Sequence, residues 1–122
     1  MAEASLGLVL DCTDPEALAV FWAEALGLAR LGSVDNYVLL VSASGTLPKL
    51  LLQRVSEPKS AKNRMHLDIE TPNVEVEVLR LEAVGARRLE EEARDEHGSH
   101  WVIMADPEGN EFCVCDAGGG GG

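Results

Sequence analysis

Basic residues are scarce in this chain: 10 Lys and Arg stand against 21 Asp and Glu, for a formal net charge of −11. Binding phosphate backbones needs clustered Lys and Arg, so nucleic acid is excluded as an expected partner. The acidity itself serves solubility. Long apolar runs are also missing. None approaches the ~18 residues that a membrane span needs, so no membrane partner is expected. Residues Met1 to Ser5 carry neither a basic segment nor a signal-like apolar stretch, which points away from secretion. Cysteine is sparse as well. Cys12, Cys113 and Cys115 are odd in number and lack framework spacing, so reduced thiols in a cytoplasmic protein are expected. What is present is 122 residues, 46% of them hydrophobic, enough for one domain or for two half-domains sharing a core.

The chain repeats itself. Val9-Leu10-Asp11-Cys12-Thr13-Asp14-Pro15, running on to Gly27, is echoed by His66-Leu67-Asp68-Ile69-Glu70-Thr71-Pro72, running on to Gly85. Asp11 and Asp68 stand 57 positions apart, as do Pro15 and Pro72. A repeat at half the chain length predicts two copies of one unit. Each copy opens with an apolar run, Leu6 to Cys12 and Met65 to Glu70. Asp14-Pro15 and Thr71-Pro72 then supply a side-chain cap and a proline at the first helical position. Leu18, Phe21, Trp22 and Ala25, and in the second copy Val74, Val78 and Leu81, follow helical spacing. Gly27 and Gly85 stand where a left-handed helix cap favours glycine.

Three strand-like segments follow each helix: Leu28–Leu31, Tyr37–Ser42 and Leu50–Val55, then Arg87–Glu92, Trp101–Met104 and Glu111–Cys115. The Arg87–Glu92 segment reads as a charged edge strand, with Glu90 to Glu92 discouraging aggregation. Asp106-Pro107-Glu108-Gly109 has the residues of a type I turn. The predicted unit is βαβββ, twice, joined by a linker from Ser56 to Asn63. The glycines at 118–122 are expected to form a disordered tail.

Strand alternation sorts the side chains by face. Leu8 and Leu10 oppose Val9 and Asp11; Met65, Leu67 and Ile69 oppose Arg64, His66 and Asp68; Phe112 and Val114 oppose Glu111, Cys113 and Cys115. One face is apolar, for packing on helices. The other gathers Asp11, Gln53, His66, Asp68, Glu111 and Cys113, which predicts a lined cleft. Trp101 fits either face of its strand and is a candidate aromatic cleft wall. Phe21 and Trp22 read as core, His97 and His100 as polar-turn residues, and Cys113 and Cys115 as small inward hydrophobes.

The Asp14-Pro15, Phe21-Trp22 and Leu26-Gly27 sequence, the His66-Leu67-Asp68 strand and Asp106-Pro107-Glu108-Gly109-Asn110-Glu111-Phe112 together resemble the vicinal oxygen chelate superfamily. More narrowly they resemble its small glyoxalase-like proteins. The resemblance spans residues 6–116. It implies an α+β fold, the glyoxalase/bleomycin resistance/dioxygenase fold, in which two βαβββ modules (6–56 and 64–116) form a U-shaped mixed-sheet cleft. It also implies a single domain over 1–117 and a homodimer. The superfamily includes metal-dependent isomerases, dioxygenases and thiol transferases, and metal-free proteins that sequester antibiotics, so the fold alone does not give the function.

Carried over by position, the superfamily's metal ligands would be Val9, Gln53 (or Leu51), His66 and Cys113. Val9 has no donor atom, Gln53 offers an amide oxygen, and Cys113 stands where a Glu is usual, with Glu111 two residues earlier. The expectation is therefore a degenerate site without a resident metal. The cleft would hold a small organic ligand oriented by His66, Gln53, Asp68, Asp11, Glu111 and Trp101. The alternative is a divalent-metal-dependent lyase, isomerase or dioxygenase with His66, Gln53, Cys113 and Glu111 as ligands.

Overall fold

The computed structural model describes residues 5–116, and the expected glycine tail at 118–122 lies outside the described residues. The chain forms two compact units, one ending at Pro58 and the other beginning at Lys59, so the division falls inside the expected linker. The first unit runs β1 (Gly7–Cys12), α1 (Pro15–Leu26), β2 (Ala29–Val34), β3 (Tyr37–Val41) and β4 (Lys49–Arg54). Its sheet has the order β1-β4-β3-β2, with β1 and β4 parallel and the other pairs antiparallel.

The start of α1 follows from its sequence. The Asp14 side chain accepts from the Ala17 amide at 3.2 Å, and Pro15 sits at the first turn. Gly27 ends the helix in the left-handed region (φ 66°). Every third or fourth residue of α1 turns inward, so Leu18, Phe21, Trp22 and Ala25 are buried against β3 and β4. There they meet Val38, Leu40, Leu50 and Leu52. The Phe21 and Trp22 rings sit edge to face at 5.0 Å, an arrangement that suits the ring quadrupoles.

The second unit repeats the plan with β5 (Leu67–Thr71), α2 (Val74–Ala83), β6 (Arg87–Arg88), β7 (Arg94–Glu96), β8 (Ser99–Ala105) and β9 (Glu111–Asp116). Its strand order is β5-β9-β8-β6, with β7 also paired to β8. Val74, Val78 and Leu81 of α2 are buried, as are Val102, Met104, Phe112 and Val114 of the sheet's inner face.

Four local expectations need correction. The cap of α2 is Asn73, which accepts from the Val76 amide at 3.2 Å, while Thr71 accepts from the Asn73 amide. Asn is the better N-cap residue, so the helix starts after Pro72 rather than on it. Gly85 lies past the end of α2, whose last turn closes at Val84. The Arg87–Glu92 strand is interrupted: Glu90 turns to bind Arg94, and pairing resumes only at Arg94–Glu96. Met65 is 75% exposed and precedes β5, so the apolar face of that strand is Leu67 and Ile69 alone.

Candidate functional site

In the first unit, register brings the predicted residues Asp11 and Gln53 side by side. Asp11 pairs with Gln53, and Gln53 pairs with Tyr37, so the three form one row across β1, β4 and β3. Cross-strand partners share a face. The next row on that face is Val9, Leu51 and Leu39. The face opposite α1 is therefore not uniformly polar, as alternation had implied. It has one polar row and one apolar row. Leu31, Gly32, Ser33, Val34, Tyr37, Leu39 and Leu51 line a concavity of about 540 Å³ over it. Val9, Leu31 and Val34 remain largely exposed there.

The sequence reading missed Leu31, Val34, Tyr37 and Leu39 as site residues. The signal was present in β3, where Tyr37, Val38, Leu39, Leu40 and Val41 place apolar groups on both faces.

In the second unit, Asp68 and Cys113 are direct partners of the parallel β5–β9 pair, and His66 immediately precedes β5 on the same face. One donor atom from each of His66, Asp68 and Cys113 lies within 4.8 Å of the others. His66 Nδ1 is buried without a hydrogen-bond partner. Asp68 Oδ1 stands 3.7 Å away, beyond hydrogen-bonding distance. The Cys113 thiol is pushed up to about 11, first by burial and then by the nearby Asp68 charge. Trp101, paired with Cys115 and packed with Cys113 and Ile103, takes this same face, which settles its orientation.

Glu111, the remaining predicted residue, is engaged elsewhere. Its carboxylate accepts from Lys59 Nζ at 3.0 Å and from the Asn63 amide at 2.9 Å. Burial raises its pKa, but the Asn63 amide and the Lys59 ammonium outweigh that and hold it below the ordinary carboxylate value. Glu111 fastens the segment before β5 to β9 and has no free oxygen pair for a cation. His100, expected in a turn, lies on β8. It bonds Asp95 at 2.8 Å, and that bond raises its pKa.

The four carried-over metal positions do not fit a hard divalent cation. Val9 offers only hydrocarbon and is 59% exposed, and Cys113 offers a thiol where such an ion needs an oxygen. Among the described residues, no helix is long and apolar enough to cross a membrane.

The Glyoxalase-like domain family profile matches residues 7–115. A glyoxalase/bleomycin resistance protein/dioxygenase family enzyme from Burkholderia phytofirmans PsJN superposes with a TM-score of 0.74 at 17% identity, covering 93% of this chain and 99% of that one. A glyoxalase-related enzyme from Fulvimarina pelagi gives 0.72 at 21% identity, covering 97% and 90%. Lactoylglutathione lyase from Agrobacterium tumefaciens gives 0.65 at 20%, covering 95% of each chain. No curated protein matches the sequence. At these identities the structures speak for fold alone, and with the profile spanning nearly all the described residues, the chain belongs to the glyoxalase-like domain family of the vicinal oxygen chelate superfamily.

Proposed function

We propose that this protein binds a small organic molecule with a flat apolar body and a hydrogen-bonding end, and that it does so without the superfamily's usual metal. The concavity over β2, β3 and β4 carries this reading. Its volume of about 540 Å³ falls within the range of small-molecule sites. Leu31, Leu39, Leu51 and Val34 supply apolar contact, and the adjacent row of Tyr37, Gln53 and Asp11 supplies donors and acceptors. A purely apolar face would favour any greasy surface, whereas one polar row beside it selects for orientation. His66, Asp68 and Trp101 remain candidate ligand contacts of the second unit.

The rival reading is a divalent-metal lyase, isomerase or dioxygenase. It draws on the lactoylglutathione lyase neighbour and on the His66, Asp68 and Cys113 donors. Val9 weighs against it, since the superfamily set loses a ligand there. As in the family, a homodimer is the expected assembly. Three buried cysteines, none of them in a disulfide, suit a reducing compartment such as the cytoplasm.

The binding site can be tested with anilinonaphthalene sulfonate, an amphipathic fluorescent probe. Leu39→Glu places a charge in the concavity while leaving Val38 and Leu40 in the core. The probe's fluorescence should rise with the native protein and stay low with the folded variant. Equal enhancement by both proteins would overturn the assignment.

A further inference from the structure

The open face of the first unit ends in a cation. Lys49 pairs with Gly7 as Leu51 pairs with Val9 and Gln53 with Asp11. Side chains alternate along a strand, so Lys49, Leu51 and Gln53 share the face opposite α1. Leu51 stands in the middle, with the polar row on one side of it and Lys49 on the other. Gln53 and Lys49 lie four residues apart on β4, a span of about 13 Å.

Three observations set this lysine apart from an ordinary solvated one. Its carbon chain lies across β1: a Cβ built at Gly7 would meet Lys49 Cε at 3.0 Å, Cγ at 3.5 Å and Cδ at 3.9 Å. Any side chain at position 7 would push the lysine aside, so glycine is what lets it lie flat on the face. The charge is also uncompensated. Of the unit's three basic residues, Arg30 is paired with Glu16 and Arg54 donates to the Thr13 carbonyl, whereas Lys49 bonds no described residue. Finally, there is room beside it, since Leu6, Leu47 and Pro48 join Lys49 around a hollow of about 480 Å³.

We propose that the ligand of this face is an amphipathic anion, a small apolar molecule whose carboxylate or other acidic group is held by Lys49. The inference rests on the binding site proposed above and adds the charge of what that site takes. Asp11 fixes the direction. Its carboxylate repels an anionic group from the Gln53 end and accepts from a hydroxyl or amine there, so the two ends of the ligand are not interchangeable. In a chain of net charge −11, a local cation is what admits an anion.

Two probes with the same rings separate charge from apolar contact. Anilinonaphthalene sulfonate is anionic, and N-phenyl-1-naphthylamine is its neutral counterpart. Lys49→Gln should weaken binding of the sulfonate about threefold to fivefold, the scale of an exposed ion pair, and leave the neutral probe's affinity unchanged. Lys49→Arg should retain both affinities. So should Lys62→Gln, which makes the same charge change in the second unit. Added salt should weaken sulfonate binding by the native protein and not by Lys49→Gln. Loss of both probes with Leu39→Glu, together with equal effects of Lys49→Gln and Lys62→Gln on the sulfonate, would overturn the role of Lys49 and leave the concavity standing. Retention of both probes by Leu39→Glu would overturn the concavity and this inference with it.

Discussion

Asp106 is the most consequential single carboxylate in the second unit. It is 1% exposed and organises the turn that delivers β9, the strand carrying Glu111 and Cys113. One oxygen, Oδ1, accepts from the amides of Glu108 and Asn110, both at 2.9 Å. The Asn110 side-chain amide reaches both carboxylate oxygens, at 3.1 and 2.9 Å. Hydrogen bonds to a charged acceptor contribute about 1.5–3 kcal/mol each, and stranded buried donors add a penalty. Three donors lose their acceptor in Asp106→Ala. Water entry and a turned Asn110 side chain recover part of that loss, and coupled losses are not additive. The expected cost is about 3–5 kcal/mol, at the upper end for one substitution. Asp106→Asn should recover only part of it, since its NH₂ group would face the Asn110 donor. Urea denaturation checks this through the midpoint at unchanged slope. A loss below about 1 kcal/mol for Asp106→Ala would refute the view that this carboxylate builds the turn.

Other outcomes follow from the same geometry. Because the Glu111 pKa is depressed below its ordinary 4.5, its contribution to stability is present above that value and is lost as pH falls through the lower folded one. The stability gap between native protein and Glu111→Gln should therefore be constant near neutral pH and shrink in acid; a gap that widens in acid would be inconsistent with the Lys59 pair. Leu52→Ala, at a fully buried position, should cost about 2–5 kcal/mol, while Leu51→Ala, on the opposite face, should cost clearly less in thermal unfolding. Light scattering at micromolar concentration should give the mass of two chains; a persistent monomer would contradict the expected homodimer.

The fold was legible wherever local chemistry and repeat agreed. Asp14, Pro15 and Gly27 all mark the ends of α1, and the structure uses all three. The second copy has diverged at the same places. Asn73 outcompetes Thr71 as cap, and β6 and β7 are parted by a bend in which the Arg88 guanidinium donates to the Glu90 and Glu91 carbonyls and Arg94 donates to the Glu90 carboxylate. Sequence position matched Glu111 to a ligand role, but could not reveal that Lys59, 52 residues earlier, takes its carboxylate. Alternation placed Asp11 and Gln53 on the open face correctly. It did not by itself separate Leu39 and Leu51 from core residues, because β3 and β4 carry apolar residues on both faces and so break the rule that apolar means inward. Trp101 was ambiguous by itself and was resolved by its register with Cys115.

The most direct test of the account is amide-resolved NMR with a small amphipathic aromatic molecule that raises the melting temperature. The account predicts saturable shift changes centred on Leu31, Tyr37, Leu39 and Leu51, with Gln53 and Asp11 at the polar end. Shifts centred instead on His66, Asp68 and Cys113, with the first unit unmoved, would contradict it.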